Sequence, residues 1–168
     1  MPNAVEMLRR DHRKVEGLFK KFDQAKSKSA KKRICDQVIQ ELEVHTKLEE
    51  EIFYPAVQRE LGDAEMIEEA KREHQQAKSI IQELKTMDGQ EIEQKFSELV
   101  EGIEHHVREE EDEMFPKVEE SAFDLTQYGE QMSERKKELA GKSVTRRAKS
   151  KAGRKSKPGR RKRSRHAA

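Results

Sequence analysis

Apolar residues recur along most of this chain at alternating steps of three and four, the period of a helix that buries one face. The spacing predicts four helices. The first runs from about Asn3 to Asp23, where Asn3 and Glu6 form an N-terminal capping pair and Val5, Leu8, Val15, Phe19 and Phe22 make the stripe, with position 12 completing it. The second, roughly Ala30 to Tyr54, aligns Cys35, Val38, Leu42, Ile52 and Ala56 and passes through positions 45 and 49; Pro55 is expected to end it. The third starts after the Leu61-Gly62-Asp63 turn and aligns Ile67, Ala70, Ala77, Ile81 and Leu84, with position 74 filling the gap and Asp88-Gly89 closing it. The fourth, about Gln90 to Phe115, aligns Ile92, Phe96, Leu99 and Ile103 and continues through positions 106 and 110 until Pro116.

Short connections force consecutive helices to run in opposite directions, so the expected fold is all-α, an up-down-up-down antiparallel four-helix bundle over residues 1–118. A short fifth helix is expected within 119–141, capped by Asp124, with Leu125, Tyr128, Met132 and Leu139 as a weak apolar face and Gly141 as its end. An internal repeat equates the second and fourth helices: EVHTKLEEEIFYP (43–55) matches EHHVREEEDEMFP (104–116), pairing His45 with His106, Glu49 with Glu110 and Pro55 with Pro116.

Charge alters this picture at one end. Leu, Ile, Val and Phe make up only 32 of 168 residues, near the level at which disorder becomes the expectation, and 42% of residues are charged. The net charge of +2 hides a division, because residues 142–168 carry 13 Lys or Arg and no acid, leaving the body at −11. Such blocks indicate a folded acidic domain joined to a disordered basic tail. The tail suits sequence-independent binding of DNA or RNA by counterion release; without an aromatic residue it offers no stacking platform for bases. No basic start followed by an apolar run, no membrane-length apolar stretch and no lipidation motif is present. The expectation is a cytoplasmic protein without membrane contact, associated with the nucleoid if the tail engages DNA. A single cysteine, Cys35, excludes an internal disulfide and a Cys-rich zinc site and is expected to pack.

The positions that the apolar stripes skip hold the chemistry: His12, His45, Glu49, His74, His106 and Glu110. Each of the four helices turns one histidine inward, a coincidence with a probability on the order of 1% for seam positions taken at random. At 1.5 Å rise per residue, all four lie roughly 14 to 16 Å from the same bundle end, in one layer. Glu49 and Glu110 each follow a histidine by four residues and share its face. No Lys or Arg lies in the seam, so burying these groups requires a cation to neutralise them. Imidazole and carboxylate without thiolate favour iron or manganese, and four nitrogens with two bridging carboxylates suit two ions, with an oxo or hydroxo bridge and open positions left for oxygen or peroxide. The neighbouring Glu43, Glu50, Glu51, Asp112 and Glu113 are read as a solvated face, His105 as exposed and Tyr54 as packing, while the role of Glu111 stays open.

The set His12, His45-xxx-Glu49, His74, His106-xxx-Glu110, with its duplicated HxxxE and prolines, resembles the hemerythrin-like family, the hemerythrin HHE cation-binding domain, over residues 3–118. The resemblance implies a non-haem di-iron centre with the four histidines as terminal ligands and Glu49 and Glu110 bridging. Oxygen-carrying members place a further histidine where this chain has Lys78, and their helix-four acid falls at Glu111; some relatives carry an acid at Thr46. Fewer ligands leave more open positions, which favours reduction of peroxide or dioxygen, including catalase-like dismutation. A non-catalytic binder, sensor or store for oxygen, nitric oxide or iron shares the same site, and an architectural DNA-binding protein with an incidental bundle is a third class.

Overall fold

The computed structural model describes residues 1–87, 89 and 91–152, with side chains through Gly141. Seven α-helices follow in order: α1 (Ala4–Gln24), α2 (Lys28–Leu48), α3 (Tyr54–Leu61), α4 (Ala64–Thr86), α5 (Glu91–Glu109), α6 (Phe115–Glu120) and α7 (Leu125–Ala152). Two five-residue π-turns, Glu49–Phe53 and Glu110–Met114, join α2 to α3 and α5 to α6 without a break. The four expected helices are therefore the rods α1, α2–α3, α4 and α5–α6, with α7 as a fifth. Caps fix their starts. Asn3 accepts a hydrogen bond from the Glu6 amide, Ser27 from that of Ala30 and Asp63 from that of Met66, each satisfying an amide of the first turn. Gly62, with φ of +68°, ends α3 in the left-handed conformation that favours glycine.

Neither proline ends its helix. Pro55 and Pro116 lie in the first turns of α3 and α6, where a missing amide costs little, and the wide turn before each makes room for the ring. The turn is closed by bonds five residues long, from the Tyr54 amide to the Glu49 carbonyl and from the Phe115 amide to the Glu110 carbonyl. One extra residue in the turn slides the inward face by one position. Ile52, expected in the stripe, is only partly buried, whereas Phe53 and Tyr54 are fully buried, as are Met114 and Phe115 at the repeat-equivalent positions.

The fifth helix is longer than expected. Gly141 keeps helical backbone instead of ending it, a cost of only about 1 kcal/mol, and α7 continues to Ala152. Of the tail expected to be disordered over 142–168, residues 142–152 are helical in backbone and 153–168 lie outside the described residues. α7 packs on α1 and α2 through the buried Met132 and Leu139, and Arg59 donates to the Tyr128 hydroxyl at 3.1 Å. Gly129 permits close approach of the N-terminal segment, since a Cβ there would stand 2.2 Å from the Pro2 carbonyl oxygen.

α1 packs along α2 and α4 along α5, and their buried faces form two apolar clusters rather than one. Leu8, Leu48, Phe53, Ile67 and Phe115 belong to one, and Phe19, Phe22, Val38, Phe96 and Leu99 to the other, where the Phe22 and Phe96 rings stack at 3.8 Å. Cys35 is buried in the second cluster, which pushes its thiol up to about 11 and leaves it a packing residue, as expected. Among the described residues no helix is long and apolar enough to cross a membrane.

Candidate metal centre

Polar residues separate the two apolar clusters. His12 on α1, His45 on α2, His74 on α4, His106 on α5 and the first residue of each π-turn, Glu49 and Glu110, meet there, none more than 5% exposed. The sequence placed all six in one layer, and the structure brings them together. All four imidazoles turn Nε2 inward: His12 and His45 approach to 3.2 Å and His74 and His106 to 3.1 Å, nitrogen to nitrogen. Glu49 lies between the two pairs, Oε1 at 3.0 Å from His45 Nε2 and Oε2 at 3.2 Å from His74 Nε2. Glu110 places Oε2 at 3.3 Å from His12 Nε2 and 3.6 Å from His106 Nε2.

This donor set fits cations. Two groups emerge, His12 with His45, Glu49 and Glu110, and His74 with His106 and Glu49, and within each the donor atoms lie within 4.8 Å of one another. Donors about 2.1 Å from one ion and roughly 90 to 110° apart stand about 3.0 to 3.4 Å from each other, which is the spacing found here. Both Glu49 oxygens and Glu110 Oε2 are buried without a hydrogen-bond partner, an arrangement that costs several kcal/mol per charge unless a cation answers it. Glu49 belongs to both groups, as a bridging carboxylate must. Glu110 belongs to one, because the Tyr54 hydroxyl donates to its other oxygen at 2.8 Å.

The outward nitrogens are also held, and the sequence reading missed most of what holds them. His12 Nδ1 donates to Glu111 at 2.8 Å, His74 Nδ1 to Glu50 at 3.0 Å and His106 Nδ1 to Glu73 at 2.7 Å, while His45 Nδ1 faces Asp11 at 3.7 Å. The pattern is cyclic: each rod carries, beside its own inward residue, the acid that steadies the histidine of the next rod. Each acid has a cationic neighbour in turn. Lys136 of α7 pairs with Asp11, Arg13 with Glu111, Lys78 with Glu50 through two 2.7 Å bonds, and His105 with Glu73 at 3.3 Å. Glu50 therefore does not belong to the solvated face to which the sequence assigned it. A carboxylate on the far nitrogen fixes ring orientation and makes the near nitrogen a stronger donor.

Burial alone would depress the buried imidazoles, but the surrounding carboxylates override it. His45 is raised to about 10, chiefly by Glu49 and Asp11, and His106 to about 9 by Glu110 and Glu73. Burial would raise Glu49, yet His45 and His74 hold it well below the usual carboxylate range. The layer is thus built to attract positive charge, in the form of protons or metal. Tyr54 packs, as expected, with its ring 5.4 Å from that of His74, but it also supplies the hydroxyl on Glu110; burial holds that phenol well above its ordinary range. Its repeat counterpart Phe115 stacks on His12 at 5.8 Å. His105 is exposed, as expected, and Thr46 turns its hydroxyl onto the Leu42 carbonyl.

A helical bundle whose seam carries four imidazoles and two unsatisfied carboxylates is, by fold and site, a non-haem metal protein of the histidine–carboxylate class. The hemerythrin HHE cation binding domain matches residues 3–118, and the chain belongs to that family. The coarse function follows, hemerythrin-type metal binding and oxygen handling. A crystal structure of a hemerythrin HHE cation binding domain-containing protein from Mycobacterium kansasii is similar at a TM-score of 0.74 and 26% identity, covering 86% of this chain and 91% of that one. An uncharacterized protein of Mycobacterium tuberculosis is 28% identical over 162 residues, 89% of this chain and 96% of the relative. A DNA nickase of Nostoc is 26% identical over 118 residues, 69% of this chain, and the chain spans only 33% of that relative's length.

Proposed function

We propose that this chain holds two iron ions, one on His12 and His45 and the other on His74 and His106, with Glu49 bridging and Glu110 completing the set, and reacts them with peroxide or dioxygen. The observation that carries this reading is Glu49, fully buried, without a hydrogen bond at either oxygen, and flanked by a histidine pair on each side. When bound, iron supplies the exchange of electrons with an oxygen species; manganese is the other metal this ligand set suits. The chain's own residues govern access and protons. A narrow apolar cavity of about 20 Å³, lined by Leu42, Ile103 and Val107 together with the histidines, has room for one small neutral molecule and excludes larger reductants. Tyr54 holds a proton on its hydroxyl, donated to Glu110 Oε1, the one hydroxyl in contact with the six inward groups among the described residues.

With Lys78 engaged by Glu50 where oxygen carriers place another ligand, the site favours catalase-like turnover over carriage. The test is oxygen evolution from peroxide by the iron-loaded chain. Release faster than that of the His45→Ala, Glu49→Ala variant supports the enzyme, and equal rates leave a binder or sensor of oxygen, nitric oxide or iron. The basic tail would keep this chemistry near nucleic acid: residues 142–168 carry 13 cations and no acid, and one relative bears the name DNA nickase. Duplex DNA binding that weakens with salt and disappears on deletion of 142–168 is expected; binding that survives the deletion removes the tether.

A further inference from the structure

An acidic groove runs between α4 and the α5–α6 rod, with a cleft of about 290 Å³ that opens to solvent. Two ladders of carboxylates face each other across it. Glu65, Glu69 and Glu73 recur every four residues on one face of α4, and Glu109 and Glu113 are spaced likewise on the opposite wall. His106 and Glu110 form its floor, so the cleft ends on the metal centre itself, at a buried carboxylate oxygen without a hydrogen-bond partner. At the mouth, Glu73, His105 and Glu109 gather donor atoms within 4.8 Å, with His105 Nε2 at 3.3 Å from Glu73 and 3.2 Å from Glu109. Glu73 belongs to both places: Oε2 takes the His106 Nδ1 proton at 2.7 Å, while Oε1 is buried, has no hydrogen-bond partner and lies on the His105 side.

Like charges facing one another across a low-dielectric groove repel unless a cation stands between them, and such a groove concentrates cations from solution. The groove between α1 and α5 is different in kind, because Arg13 and Arg108 stand among its acids. From this arrangement we propose that the α4/α5 groove is the route by which divalent cations reach the buried centre, and that Glu73, His105 and Glu109 form a docking site at its mouth. The proposal rests on the metal-centre reading. A cation held by the three mouth groups lies beside a carboxylate that already touches His106, so the Glu73 side chain links the docking site to the first inner donor.

Metal-free full-length chain mixed with Co2+ in stopped flow, followed by the absorption that develops as cobalt enters a nitrogen–oxygen site, tests the route. Glu109→Gln with Glu113→Gln is expected to slow the initial uptake by about tenfold or more and to flatten its dependence on ionic strength. Glu91→Gln with Glu93→Gln removes the same charge about 24 Å along α5 from Glu109 and is expected to leave the rate within about twofold. Equal rates in the groove variant and the wild type would overturn the route while leaving the centre in place. A wild-type chain that takes up no cobalt would instead remove the centre, and the route with it. In the chain first filled with Zn2+, trace Mn2+ is expected to broaden the His105 ring resonances before those of other exposed side chains; an unaffected His105 would eliminate the docking site.

Discussion

Glu50 stands one residue past Glu49, yet it serves the opposite pair of histidines, steadying His74 while Lys78 steadies Glu50. A residue one step along a helix is turned by about 100°, so the neighbour of an inward ligand points into the seam with the adjacent rod. This explains why the inward six were legible in the sequence and their supports were not. His12, His45, Glu49, His74, His106 and Glu110 fall on apolar periodicity, whereas Asp11, Glu50, Glu73 and Glu111 fall where an acid is ordinarily solvated. A signal was present all the same, because every rod carries an acid directly beside an inward residue: Asp11 with His12, Glu50 with Glu49, Glu73 with His74, Glu111 with Glu110. Replacing Glu50 with Gln keeps the shape and removes the charge that makes His74 a strong donor. Metal affinity, read by competition with a chromophoric chelator, is expected to fall by about 10- to 100-fold; an unchanged affinity would show that Glu50 only fills space.

The least legible features at the scale of elements are the two π-turns, because one extra residue in a turn leaves no mark on composition. The repeat gave a partial sign, with a proline six residues after each inward glutamate, but a proline after a helical run ordinarily signals a stop. Both turns begin at the glutamates of the centre, and π-turns are frequent at functional sites. Their effect is to bring Tyr54 and Phe115 inward, one onto Glu110 and His74 and the other onto His12. The slide in register has an energetic consequence. Phe53→Ala is expected to cost about 3 to 5 kcal/mol in urea unfolding, as for a buried phenylalanine, and Ile52→Ala, at a partly buried position, much less. A larger loss at Ile52 would mean that the helix continues with ordinary α spacing. The bundle itself was readable because caps, turns and stripes agreed; the length of α7 was not, because a glycine tolerated inside a helix reads the same as one that ends it.

Seen whole, the molecule divides its apolar interior with a layer of buried imidazoles and carboxylates, an arrangement that costs stability unless a cation occupies it. Cations that bind the native chain at 100 times their dissociation constant stabilise it by about 2.7 kcal/mol each. Chelation is therefore expected to lower the urea midpoint of the iron-loaded protein and to leave that of the His45→Ala, Glu49→Ala variant unchanged. The division of charge was legible in the sequence from the absence of acids after residue 141, and it sets an acidic bundle, with its carboxylate-lined groove, against a basic tail. Protein purified from its own host, analysed for metals alongside its optical spectrum, puts the paired-cation centre to the most direct test. About two irons per chain, lost in the variant lacking His45 and Glu49, is the expected result. A preparation that is equally stable with no metal at all, or a variant that keeps the same iron, would contradict it.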